Sequence, residues 1–148
     1  MRTTIAAAIL LAWAGEAGAS AGVSCQANDP SLTFTLEGAW GRSAGSGVGN
    51  FGGEVEIKLK AVPDYVRKLK LETRHLTQNW YHDRDIKLAV QWTRDGDEPS
   101  AEVTLFIETQ RGKAEESAYR GRYKLTIFVP DSDGKPREAS GRVTCSAE

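Results

Sequence analysis

Alternation with a period of two constrains this chain more than any other feature of its sequence. In Ser31-Leu32-Thr33-Phe34-Thr35-Leu36-Glu37 every second residue is apolar, and Glu54-Val55-Glu56-Ile57-Lys58-Leu59-Lys60 does the same with charges between. Successive side chains of a strand point to opposite faces, so such a run buries one face and wets the other. The pattern returns in 68–72, 86–92, 101–109, 119–129 and a short run around Gly141, Val143 and Cys145. Turn residues separate the runs, as in Asp95-Gly96-Asp97-Glu98-Pro99 and Asp131-Ser132-Asp133-Gly134. Beyond residue 21 no stretch keeps a helical period for three turns; Asp64 to Leu71, after Pro63, admits the start of a helical turn, but its alternating Leu69 and Leu71 favour a strand. The expected fold is all-β: an antiparallel sandwich or small barrel of about seven strands. Its predicted core is Phe34, Leu36, Val55, Ile57, Leu69, Leu71, Leu88, Val90, Trp92, Val103, Leu105, Tyr123, Leu125, Ile127 and Val143.

The N-terminal segment follows a different rule. Arg2 precedes the apolar run from Ile5 to Ala14, and Ala17-Gly18-Ala19 and Ala19-Ser20-Ala21 both match the small-residue pattern of signal-peptidase sites. An apolar run of ten residues is too short for a membrane span, which takes about 20. Residues 1–21 are read as a cleaved signal peptide and 22–148 as a single domain, periplasmic or secreted and not inserted in the membrane. A lipoprotein is disfavoured, because Gly22 stands three places before Cys25, where a lipobox carries a leucine-like residue.

Export gives the cysteines their meaning. Only Cys25 and Cys145 are present, one near each end, and an even count in an oxidising compartment reads as a disulfide. With no histidine near them they do not make a zinc site. The bridge also removes any cysteine–histidine nucleophile pair, and His75 and His82 are all the histidine there is. Nineteen Lys and Arg against twenty Asp and Glu leave no basic footprint for a nucleic acid.

Two motifs invite a stronger reading and do not sustain it. Gly47, Gly49 and Gly52 spell G-x-G-x-x-G inside the segment Gly41–Gly53. A dinucleotide site needs those glycines between a strand and a helix, and here a strand follows, so a flexible interstrand loop is expected. Asp131-Ser132-Asp133-Gly134 resembles the start of an EF-hand loop but lacks the third acidic ligand and the late glutamate, so a hairpin turn is expected there. Gly45-Ser46-Gly47 is the nearest approach to a nucleophile elbow. No cofactor, metal site or catalytic set is expected, and the protein is read as not an enzyme.

Gln78-Asn79-Trp80-Tyr81-His82-Asp83-Arg84-Asp85 is the most distinctive stretch. As a recognition tip between two strands it offers Asn79, Trp80, Tyr81, His82 and Arg84, with the aromatic and arginine types that dominate binding hot spots. As a structural element, Trp80 caps the core, His82-Asp83 makes the turn and Arg84 pairs with an acid. Phe106 and Phe128 fall on the outward phase of their strands, beside Glu102, Glu108, Arg120, Arg122 and Lys124. There they are either the edges of an apolar patch for a partner or neighbours of cross-strand ion pairs. The sequence thus leads to a small exported binding module that recognises a protein partner in the cell envelope. An inhibitor of a secreted hydrolase and a small-ligand carrier are the alternatives.

Overall fold

The computed structural model describes residues 21–41, 47–94, 96, 99–113, 117–130 and 133–148. Residues 1–20 of the expected signal peptide, and the acidic residues Asp95, Asp97, Glu98 and Asp131, lie outside the described residues, whereas Ala21, expected as the last residue of that peptide, begins the first strand. Among the described residues nine strands form one antiparallel sheet. They are β1 (Ala21–Asn28), β2 (Leu32–Trp40), β3 (Val48–Ile57), β4 (Lys68–Glu72), β5 (Leu76–His82), β6 (Asp85–Arg94), β7 (Ala101–Arg111), β8 (Ala118–Phe128) and β9 (Arg137–Ala147). Their order across the sheet is β4-β3-β2-β1-β9-β8-β7-β6-β5. Two meanders, β1–β4 and β5–β9, therefore join where the first strand pairs with the last. The sheet is nearly closed into a barrel, with nine strands rather than the seven expected from alternation.

The seam of that barrel is a single bent edge. A 3-10 turn, Thr73–His75, connects β4 to β5; β4 pairs with β3, and β5 pairs with β6. Past the end of β4, the Thr73 hydroxyl donates to the Phe51 carbonyl at 3.2 Å. Farther on, the Trp40 indole N–H of β2 donates to Asn79 of β5 at 3.4 Å. At the opposite end of the seam the Arg94 guanidinium lies over the Tyr65 ring, 4.7 Å from its centroid. Tyr65 belongs to a 3-10 turn, Asp64–Val66, where the sequence favours strand over the whole of 64–71; the strand holds only from Lys68.

From Val48 on, the segment 41–53 is strand and not the loop that its glycines suggest. Residues 42–46 lie outside the described residues, but β3 begins at Val48 and takes in Gly49, Gly52 and Gly53. The glycines serve a bulge instead. The register between β2 and β3 shifts between Glu37 and Ala39, and Asn50 adopts a positive φ of 51°. At Gly53 an added Cβ would collide with the Thr35 carbonyl oxygen and the Leu36 backbone. A bulge bends and twists a strand pair, as a closing sheet requires.

The alternation fixes which side chains fill the interior. Fourteen of the fifteen residues expected in the core are buried, and Trp92 packs against the core from a half-buried position. Phe34 and Tyr123 meet edge to face at 5.8 Å, a favoured aromatic geometry. Trp40, Phe51 and Tyr119 join them. Cys25 and Cys145 are buried register partners across β1 and β9, and they are bonded. No helix among the described residues is long and apolar enough to cross a membrane.

Candidate functional site

The segment expected as a recognition tip is mostly strand. Asn79, Trp80, Tyr81 and His82 belong to β5, an edge strand paired residue by residue with β6 as far as His82↔Asp85. The turn is Asp83-Arg84, not His82-Asp83, and Asp83 takes the positive φ of 52° that so short a connection demands. Period two then separates the candidates. Trp80 and His82 share one face, their rings 5.9 Å apart. Asn79 and Tyr81 turn to the other, where Tyr81 stacks on buried Trp40 at 4.9 Å.

On that second face the contacts hold the fold. The Tyr119 hydroxyl donates to the Tyr81 hydroxyl at 3.4 Å. Burial first, and then the contact with Tyr81, push the Tyr119 phenol up to about 12. Among the described residues Arg84 pairs with no acid: its Nε and Nη2 donate to the Arg111 carbonyl at 3.1 and 2.6 Å. The Arg111 N–H donates in turn to the Arg84 carbonyl at 2.7 Å. Nor does Trp80 cap the core, for it is 56% exposed.

Trp80 instead stands over the outer face of the sheet. A shallow groove of about 1500 Å³ runs there across β5 to β9. Its floor at Ala89 is only 7% exposed, although Ala89 points away from the barrel core. Ala89 pairs with Gln78 on β5 and with Phe106 on β7. Trp80 rises on one side of it and Phe106, 47% exposed, on the other. Around them Lys87 and Glu108 form an ion pair at 3.7 Å, and Lys124 and Glu138 one at 3.1 Å. The outward phase of Phe106 announced half of this site in the sequence. Ala89 carries no such signal, being small and ordinary in a strand.

Other groups whose acidity is shifted are also occupied with the fold. Burial first, then Arg74, lowers the His75 imidazole, whose Nδ1 accepts the Glu72 N–H at 2.8 Å. At Asp133 the hydrogen bond from Arg137, 3.1 Å long, is the first cause of a lowered carboxyl. Asp133 also accepts the Lys135 N–H at 3.1 Å, which makes this segment a turn. Among the described residues no three His, Cys, Asp or Glu side chains converge to hold a metal ion. The outer face of the sheet is thus partly aromatic, with Trp80 and Phe106 exposed on it. No family model matches the chain, and no curated protein or solved structure shows significant similarity to it.

Proposed function

We propose that the protein is exported to the periplasm or beyond and acts there, without catalysis, as a protein-binding module. Its contact surface is the outer groove of β5–β9. The observation that carries this reading is the pairing of exposed Trp80 and Phe106 about the apolar floor at Ala89. Large aromatics at the centre of a contact supply most of the binding energy in protein interfaces. Export is supported by the disulfide, a bond of oxidising compartments.

Aromatic and aliphatic side chains pack the barrel interior, which favours an external contact over a ligand carried inside. The expected tip is strand plus a two-residue turn with Arg84 tied to Arg111. That leaves little loop to insert into a hydrolase and favours the face over the tip. The test is affinity capture from an envelope extract on immobilised mature protein. A Trp80→Ser/Phe106→Ser variant with an unchanged melting curve serves as the reference. A partner retained by the parent and lost from the variant is the expected result; equal recovery on both overturns the assignment of the face.

A further inference from the structure

Arg122 on β8 and Arg142 on β9 stand directly opposite one another, and both are exposed. Like charges at facing positions of neighbouring strands oppose sheet formation, so the fold itself gives no reason for the pair. The acids nearby are engaged elsewhere. Glu108, which faces Arg122 from β7, pairs with Lys87; Glu138 pairs with Lys124; Asp85 accepts the Gln110 side-chain amide at 3.1 Å. Among the described residues neither Arg122 nor Arg142 has an acid within ion-pair distance. Lys87, Arg122 and Lys124 balance Asp85, Glu108 and Glu138 in the lining, so Arg142 beside it leaves the surface with an excess positive charge. Arg122 and Arg142 are its cations without an acid partner among the described residues.

We infer that the groove takes an acidic, extended polypeptide segment, its carboxylates on Arg122 and Arg142 and an apolar side chain over Ala89 between Trp80 and Phe106. This rests on the proposal that the outer face is the binding surface. Guanidinium forks take carboxylates in a bidentate manner, and two of them side by side suit adjacent acidic residues. Arg122 lies two strands from Ala89 and one same-face step along. At about 4.8 Å per strand and about 3.3 Å per residue, the separation is about 12 Å, which an extended chain covers in three to four residues. A polyanion such as a nucleic acid or an anionic membrane asks for a longer basic track, typically about four to eight cations. Two uncompensated arginines beside an apolar floor fit a short acidic peptide better.

The test is a phage-displayed random peptide library panned on the mature, disulfide-bonded protein and counter-selected on an Arg122→Gln/Arg142→Gln variant. Enriched sequences are expected to carry paired acids with an aromatic or aliphatic residue three or four positions away. A synthetic peptide of the leading sequence is expected to lose about tenfold or more in affinity on the double variant. It should lose a similar factor in about 1 M salt, where charges are screened beyond about 3 Å. Enriched peptides that lack acids, or an enrichment no greater than on the double variant, overturn the inference. If such acid-free peptides still lose binding with Trp80→Ser and Phe106→Ser, the acidic specificity falls and the binding face stands. Peptides indifferent to Trp80 and Phe106 overturn the face as well. Tighter binding of dextran sulfate or of phosphatidylserine vesicles than of the leading peptide overturns the assigned partner class.

Discussion

The Tyr123 hydroxyl donates to Asp29 Oδ2 at 2.6 Å and ties together residues 94 positions apart. The other carboxylate oxygen accepts the Ser31 and Leu32 N–H groups at 2.8 and 3.0 Å, so one side chain holds both the β1–β2 turn and the buried face of β8. Gly141 makes this possible, because a Cβ there would strike both the Asp29 carboxylate and the Tyr123 ring. Burial alone would raise the Asp29 carboxyl, but the hydrogen bonds from Tyr123, Ser31 and Leu32, with Lys58 nearby, hold it below its ordinary 3.8. A depressed folded pKa means the contribution is complete above the unfolded value and disappears as the pH falls through the folded one. Tyr123→Phe should therefore cost about 1.5–3 kcal/mol at neutral pH, the range of hydrogen bonds to charged groups. The gap from the parent should narrow in acid below 3.8. Urea titrations at both pH values check this; an unchanged gap in acid would remove the carboxylate from the explanation.

Cys25 and Cys145 lie 120 residues apart and clasp the strand pair on which the two meanders join. In the chain-entropy account, closing a loop of this length stabilises by about 4–5 kcal/mol. A Cys25→Ala/Cys145→Ala variant should lose most of that, and both meanders should unfold together, since they share one sheet. Denaturant midpoints followed by far-ultraviolet circular dichroism and by tryptophan fluorescence report the two expectations. A loss under about 1 kcal/mol would contradict the entropic account.

How much of this was legible in the sequence depended on burial. Wherever one face of a strand is buried and the other wet, as at Val103, Leu105 and Ile107 with Glu102 and Glu108 on either side, the phase is read directly. β1 escaped because its inward residues, Val23, Cys25 and Ala27, are mostly small and adjoin the apolar N-terminal run. β5 escaped for the opposite reason: from Thr77 to His82 every residue is exposed, so no apolar period exists to detect. The same exposure hid which of Trp80 and Tyr81 belongs to the fold. That answer lies with Trp40, in a strand whose end was not recognised and which meets β5 only when the sheet curls. The glycines of 47–53 misled because a bulged strand and a loop use the same residue type.

His75 makes the 3-10 turn at the seam sensitive to pH. Its Nδ1 accepts the Glu72 N–H at 2.8 Å, and the Glu72 side chain caps the His75 backbone in return. Protonation of Nδ1 abolishes the first bond, and burial already lowers the imidazole from its ordinary 6.5. A lowered folded pKa gives stability that is complete above 6.5 and lost as the pH falls from there through the folded value. Protection factors of the amides around Thr73–His75, taken against the intrinsic exchange rate at each pH, should therefore fall over that window. His75→Phe, which cannot titrate, should show no such step. A step that survives the substitution would assign the titration to another group.

Tyr81 and Trp80, neighbours in sequence, should separate cleanly by experiment. Tyr81 stacks on buried Trp40 and receives the Tyr119 hydroxyl, and an aromatic pair contributes about 0.5–1.5 kcal/mol beyond its burial. Tyr81→Ala should accordingly lower stability by about 1–2 kcal/mol. Arg84→Ala should cost about 1 kcal/mol through the lost bonds to the Arg111 carbonyl. Trp80, exposed on the outer face, should be removable within about 0.5 kcal/mol of the parent. In a captured partner complex the order should invert, with Trp80→Ala weakening binding by about 2 kcal/mol or more while Tyr81→Ala and Arg84→Ala leave it nearly intact. Thermal melts and titrations of the three variants decide. If Trp80→Ala melts the barrel and Tyr81→Ala does not, the two faces of β5 have been exchanged, and the groove loses the residue on which its function rests.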